Sequence, residues 1–316
     1  QNRLIIVIIE NFMAVISKYI WFDGKLVIRD KAKVPVTSHA IHYGTSIFEG
    51  IRAYWNTENL FIFRLDDHVK RFRNSGNFYD ISLRFSNKQI KQAVIDLCRK
   101  NKIRKSCYIR PFYFIGQFGI NLHVTKKAPT HLAIFSFPFG DLFNKNGITA
   151  CISVWRKFND SSTPTQAKMG GNYLNSILAT QDAKNRGFDE AVLLDKNGYV
   201  SEAPGENIFI IKNNSLITPP LSSSALDGIT RRSILEFSKD LKLKTKIKNI
   251  SVKELKMADE VFLCGTAAEI TPIIKLEKTK IGNGKLGDLT KIIMDKYSNI
   301  VMNNSKKYSK WITPVY

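Results

Sequence analysis

Cysteine is scarce in this sequence: Cys98, Cys107, Cys151 and Cys264 are the only four in 316 residues, and no two form a C-x-x-C pair. That excludes a disulfide framework and a zinc site, and it suits a reducing compartment such as the cytoplasm. Long apolar runs are missing as well. The longest near the start, residues 4–9, is too short to cross a bilayer and lacks the small-residue cleavage site of a secretory signal. No internal repeat or low-complexity tract is present. Acidic residues are in deficit, 27 against 48 lysines and arginines, which leaves a net charge of +21. Such a charge raises the reading of a basic nucleic-acid-binding protein. The basic residues, however, are scattered through expected helices and loops, with no long arm and no aromatic-interleaved stripe. A solvated, lysine-rich surface is the better account.

What is present is a globular composition, 44% hydrophobic and 11% aromatic, enough for two domains that mix helix and strand. Met13 opens a stretch that reads as a first strand and turn, so residues 1–12 are expected to be an extension. Between Trp21 and Phe63 the pattern is short apolar strands broken by turns, with Asp23-Gly24, then Val34-Pro35-Val36, then Leu60 to Phe63. Helical spacing then covers residues 64–79, and again 86–101, where Ser86 is placed to cap. Residues 108–115 and 131–137 read as strands of the same sheet, closing a small α+β domain over residues 13–143. A connection over 144–158 leads to a larger domain at 159–316. Asn197-Gly198 marks a hairpin between strands at 191–194 and 199–201, and Asn213-Asn214 a second between 207–211 and 216–218. Gly228-Ile229-Thr230 opens an amphipathic helix whose first amides have no partner inside the helix, a ready anion site.

Four places carry candidate chemistry. Lys168 is followed by Met169-Gly170-Gly171-Asn172-Tyr173. An attacking lysine needs a neutral, desolvated amine, and paired glycines let a planar ligand approach the backbone. Tyr173, five residues on, is near enough to aim a phenol at the same ligand. Glu202, after the first hairpin, is either a loop charge or the partner of a pyridinium nitrogen. The small residues Gly265-Thr266-Ala267-Ala268 form a second anion cradle. Tyr108 and Arg110 share one face of a strand, where Arg110 serves either as a sheet-edge ion pair or as a carboxylate clamp.

These segments, in order, resemble the branched-chain amino-acid aminotransferases of the class IV, fold-type-IV group of pyridoxal-phosphate enzymes. The likeness runs from about Tyr19 to Trp311 and includes His42 through Arg52, Tyr108-Ile109-Arg110-Pro111, Ala167-Lys168 through Tyr173, and Ser201-Glu202 through Asn207. Ala225 through Arg231 and Gly265 through Glu269 complete it. The resemblance implies an α+β, two-domain fold like that of D-amino-acid aminotransferase. It implies pyridoxal 5′-phosphate as cofactor, in a Schiff base with Lys168, with Glu202 at the pyridine nitrogen and Tyr173 at the ring hydroxyl. Leu226 would pack on the ring, and Arg64, Gly228, Ile229, Thr230 and Thr266 would hold the phosphate. The substrate α-carboxylate would meet Tyr108 and the amides of Thr266 and Ala267, with Arg110 as the side-chain carboxylate partner. Phe48, Tyr43 and Phe139 would line the side-chain pocket, Tyr43 and Leu122 being supplied across a homodimer interface.

The implied reaction is ping-pong transamination between L-leucine, L-isoleucine or L-valine and 2-oxoglutarate, with no metal, nucleic acid or membrane partner. Phe139 and Leu142 stand where the family often has tryptophan and another aromatic, and residues 119–123 also depart from its commonest forms. D-amino-acid aminotransferases and aminodeoxychorismate lyases of the same fold share the Lys168 and Glu202 positions. The segments around Tyr108 and Thr266 favour the branched-chain reading.

Overall fold

The computed structural model of the chain describes residues 16–316. The expected extension over 1–12 and the opening Met13 lie outside these. The first half contains β1 (Tyr19–Phe22), β2 (Lys25–Ile28), α1 (His39–Tyr43), β3 (Ser46–Phe48), β4 (Ile51–Trp55) and β5 (Leu60–Phe63). Then come α2 (Leu65–Asn77), α3 (Asn87–Lys100), β6 (Cys107–Ile115) and β7 (Thr130–Pro138). The second half runs through β8 (Ile148–Arg156), α4 (Tyr173–Asn185), β9 (Glu190–Leu194), β10 (Asn207–Lys212), β11 (Ser215–Thr218), α5 (Ile229–Phe237) and β12 (Lys244–Ile247). It ends with α6 (Val252–Lys256), β13 (Glu260–Gly265), β14 (Glu269–Leu276), β15 (Thr279–Lys280), α7 (Asp288–Val301) and β16 (Ile312–Pro314).

Two sheets result, an antiparallel one ordered β16-β5-β4-β6-β7-β1-β2, with β3 also pairing β6, and a mixed one ordered β12-β11-β10-β13-β14-β8-β9, with β15 also pairing β14. Strand β6 explains how the first is used. Its odd positions, Cys107, Ile109, Tyr113 and Ile115, are buried with Val69 and Phe72 of α2 and Val94 and Leu97 of α3. Its even positions therefore face the other way, toward the second half. Pro111 is tolerated in this central strand because the neighbouring strand is interrupted there: Glu49 and Gly50 separate β3 from β4, and the Glu49 amide donates to the Pro111 carbonyl at 2.8 Å. One apolar cluster then crosses the seam, joining Tyr54 and Phe63 of the first sheet to Phe209, Phe262, Phe237 and Tyr297 of the second half. It holds the open face of β6 against the loops of the second sheet.

Most expected elements are present, and several differ. Residues 34–36 form no strand: Pro35 has no amide to give a ladder, and Val36 is 80% exposed. The return arm of the first hairpin is short: it makes the bridge Leu194↔Val200 and exchanges backbone hydrogen bonds between Leu193 and Ser201-Glu202, while the Val200 amide turns away to the Ile250 carbonyl. The segment expected as a connection, 144–158, holds β8, which lies between β14 and β9 in the second sheet. The C-terminal β16 returns to the first sheet beside β5, so the chain's end does not belong to the second unit alone.

Candidate active site

Lys168 is fixed by its backbone before its side chain does anything. Its amide donates to Ser75 Oγ on α2 at 3.0 Å, and its carbonyl accepts from the Phe48 amide at 3.1 Å. Ile47 and Met169 form a β-bridge beside it. Glycine at 170 is required for this approach, since a Cβ there would lie 2.3 Å from Ser46 Oγ. The side chain enters a cavity of about 420 Å³ at the seam between the halves. There Lys168 Nζ donates to Tyr173 Oη at 2.5 Å and sits 4.9 Å from the Phe48 and Tyr173 ring centres. Burial, aided by the Arg71 charge, draws the Lys168 amine down to about 8. Burial pushes the Tyr173 phenol up to about 12, so it stays protonated. A nucleophilic amine is thus within reach near neutral pH.

On one side of the cavity stands Glu202. Its Oε1 pairs with Lys157 Nζ at 2.7 Å, while Oε2 accepts from Asn207 Nδ2 at 3.2 Å and from the Leu226 amide at 2.9 Å. Burial works against the Lys157 charge, but the Glu202 carboxylate outweighs it and lifts the ammonium above the ordinary lysine range. Nearby Glu206 has the opposite character. Burial, with Glu190 behind it, pushes its carboxyl up to about 8.

At another part of the wall, α5 begins at Gly228 and presents Ile229 and Thr230 to the cavity. Thr266 and Ala267, in the turn from β13 to β14, face it too. Arg71, from α2, completes this end: Nη1 donates to the Asp227 carbonyl at 3.0 Å, and Nε and Nη2 clasp Glu49 at 2.6 and 2.9 Å. Helix-terminal amides beside a guanidinium make an anion cradle.

The face of β6 supplies the rest. Gly50 has no side chain, and it could not have one: a Cβ would lie 1.7 Å from Tyr108 Oη. Arg110 Nη2 donates to that hydroxyl at 3.3 Å, and the guanidinium lies 4.6 Å from the Phe48 ring centre. Arg110 Nε is buried with no partner, and among the described residues no carboxylate pairs with this arginine.

Comparison with known proteins follows this geometry. Residues 46–276 match the family model for amino-transferase class IV. The branched-chain-amino-acid aminotransferase of Salmonella typhimurium is 40% identical over 303 residues, covering 95% of this chain and 98% of that protein. The chain belongs to the class IV aminotransferases. Within that family, the crystal structure of the branched-chain aminotransferase from Thermoproteus uzoniensis with norvaline superposes with a TM-score of 0.92 at 41% identity, covering 95% of this chain and all of that one. The branched-chain amino acid aminotransferase from Thermobaculum terrenum, in its pyridoxal-phosphate holo-form, gives 0.90 at 33% identity, over 95% of this chain and 99% of that one. Like other class IV aminotransferases, the chain uses pyridoxal 5′-phosphate. Its donor set fits that group: a tunable amine for the aldehyde, a buried carboxylate for the ring nitrogen, and a cationic amide cradle for the phosphate.

Of the residues singled out in the sequence of this aminotransferase, the cavity brings together Lys168, Tyr173, Glu202, Leu226, Gly228, Ile229, Thr230, Thr266, Ala267, Phe48, Tyr108 and Arg110. Arg64 is not among them. It caps α2 with φ +50, donates to Asp67 at 2.7 Å and Ser233 at 3.0 Å, and lies 4.4 Å from the Trp311 ring centre. Arg71, about two turns further along α2, stands at the cavity instead. Nothing local in the sequence signals this, because the choice follows from Glu49, whose burial in the fold requires a cation beside it. Phe139 also stays off the wall, packed behind Tyr108 with the rings tilted at 52° and their centres 5.4 Å apart. Tyr43 is outside this chain's own cavity, its hydroxyl donating to the Ile120 carbonyl at 3.1 Å, and Leu122 is exposed. Sequence reasoning also missed Lys157, Asn207 and Glu206.

Proposed function

We propose that this class IV aminotransferase moves the amino group between L-leucine, L-isoleucine or L-valine and 2-oxoglutarate, yielding branched-chain 2-oxo acids and L-glutamate. The observation that carries this reading is the pairing, in one cavity, of the Lys168 amine near neutrality with an arginine, Arg110, that has no carboxylate of its own. Bound there, pyridoxal 5′-phosphate supplies an aldehyde and an electron-withdrawing ring that acidifies the substrate Cα–H. Lys168 would anchor it and, once freed as a neutral amine by the incoming amino acid, would take the proton from the substrate Cα and deliver it to the cofactor's C4′. Tyr173 orients that amine through its hydroxyl. Glu202, held by Lys157 and two N–H donors on its oxygens, would meet the ring nitrogen. Leu226 packs on the ring, and Arg71, Ile229, Thr230 and Thr266 receive the phosphate.

The α-carboxylate goes to Tyr108 Oη and to the amides of Thr266 and Ala267, while Phe48 offers the apolar wall a branched side chain needs. Arg110 takes the second carboxylate of glutamate or 2-oxoglutarate. The working unit is a homodimer in which Tyr43 and Leu122 complete the partner's pocket, and four buried free thiols suit the reducing cytoplasm. The test is spectroscopic. Purified protein should absorb in the visible, lose that band with L-leucine but not D-leucine, and regain it with 2-oxoglutarate. Borohydride should fix the cofactor to Lys168. A label on another lysine, or equal response to both enantiomers, would refute the reading.

A further inference from the structure

Glu49 is a fully buried carboxylate that belongs to neither substrate wall nor cofactor ring, yet it sits one side chain behind the cavity. Its contacts are all on two groups. Oε1 accepts from Arg71 Nε at 2.6 Å; Oε2 accepts from Arg71 Nη2 at 2.9 Å and from His68 Nδ1 at 2.7 Å. His68, itself 1% exposed, is kept mostly neutral by burial, so it serves as a donor and adds no competing charge. The burial cost of the Glu49 carboxylate is outweighed by the Arg71 and His68 contacts, and it remains ionised.

A guanidinium has five N–H donors. In Arg71 one on Nε and one on Nη2 are held by Glu49, and one on Nη1 is held by the Asp227 carbonyl. Two are left, one on each terminal nitrogen. These two N–H groups, one from each arm of the guanidinium fork, are free for the oxygens of an anion. The plane of the guanidinium is set by the side-on clasp, and the Asp227 carbonyl, adjacent to the Gly228 start of α5, fixes its tilt.

We propose that Glu49 is the positioning residue of the phosphate site: by clasping the Nε edge of Arg71, with His68 as its own anchor, it aims the two remaining N–H groups of Arg71 at the cofactor phosphate. The inference rests on the reading that Arg71 receives that phosphate. A glutamate present only to neutralise a buried charge would stabilise the fold without discriminating between ligands. A positioning role acts through the phosphate alone. In Glu49→Gln the carbonyl oxygen can still accept one Arg71 bond, but the amide presents hydrogens to the other nitrogen, so the clasp is lost while shape is kept.

The experiment compares the dissociation constants of pyridoxal 5′-phosphate and of pyridoxal, which lacks the phosphate, for the cofactor-stripped full chain by fluorescence titration. E49Q is expected to weaken pyridoxal 5′-phosphate by at least about tenfold and pyridoxal by less than about twofold, in line with loss of an aimed charge-assisted contact. R71Q should show a larger loss of the same phosphate-specific kind, and adding E49Q to R71Q should bring no further phosphate-specific loss. Should E49Q not fold, Glu49→Asp takes its place, because it keeps the buried charge but draws the carboxylate back by one methylene. Equal weakening of both ligands by the Glu49 variant, or of neither, overturns the inference even if R71Q is phosphate-specific. If R71Q itself does not discriminate, it is the assignment of Arg71 to the phosphate that falls.

Discussion

Four arginines lie at or near the site, and their partners separate their tasks. Arg52 donates to the Gly140 and Ala267 carbonyls at 3.2 and 3.3 Å, Arg64 to Asp67 and Ser233, and Arg71 to Glu49 and Asp227. Each of these is spoken for by backbone or carboxylate. Arg110 has only the Tyr108 hydroxyl, with rings stacked against its guanidinium and Nε unmatched. A half-buried cation whose Nε is out of solvent and unpartnered gains from an anion. The glutamate side chain supplies one, and the leucine side chain does not. Arg110→Leu should therefore weaken the glutamate and 2-oxoglutarate half-reaction by tens-fold or more, the effect of leaving a buried carboxylate short by about 2–5 kcal/mol. The leucine half-reaction should change little. Single-turnover spectra separate the two, and equal losses would assign Arg110 to the shared α-carboxylate or to the fold. The sequence could place Tyr108 and Arg110 on one face because strand alternation is local. It pointed to Arg64 and not to Arg71 for the phosphate, since that choice depends on Glu49, which the fold brings to α2 from the break between β3 and β4.

Elements were legible where their signals are local. Ser86 does cap α3, in a box completed by Gln89, and Asn213 and Asn214 take φ of +47° and +54°, the positive angles a tight hairpin demands. Pairing was legible for neighbours in sequence, as in β6 with β7 and β10 with β11, but not at long range. Val34 and Val36 have strand-forming side chains but no neighbour, and β16 pairs with β5 across most of the chain's length. The start of α5 shows how an element end positions chemistry. Gly228 has φ −69°, which any residue can adopt, so its need is purely spatial: a Cβ would lie 1.9 Å from Asn207 Oδ1. The Asn207 amide in turn holds both Glu202 Oε2 and the Leu226 carbonyl. Gly228→Ala should displace that amide, weaken cofactor affinity, and cost about 1–3 kcal/mol by overpacking. Adding Asn207→Ser should recover the stability but not the affinity. Denaturant unfolding and cofactor titration of the single and double variants check both, and a neutral single variant would show that the helix end tolerates a methyl group.

The whole molecule presents an outer face that one chain does not explain. Helix α4 buries small and polar residues, Asn175, Ser176, Ala179 and Ala183, while Leu174, Ile177 and Leu178 point outward at helical spacing, Leu174 64% and Ile177 62% exposed. Val154 and Trp155, at the end of β8, are exposed as well, as are Ile41, Ile120 and Leu122. Apolar surface of this extent calls for a partner, and Ile177 also lines the cavity, so cover on α4 would reach the site. A second copy of the chain is the proposed cover. Leu174→Arg combined with Leu178→Arg should then give monomer in sedimentation equilibrium and reduced transamination, although neither residue lines the cavity. Charge sets a further condition. Two copies at +21 each repel at long range, so association must come from desolvated apolar area. Added salt shortens the screening length from about 30 Å at 0.01 M to about 8 Å at 0.15 M. Salt should therefore tighten the dimer. Dimerisation that weakens with salt would mean an ionic interface, and a fully active monomer at micromolar concentration would mean that the α4 face serves something other than a second copy.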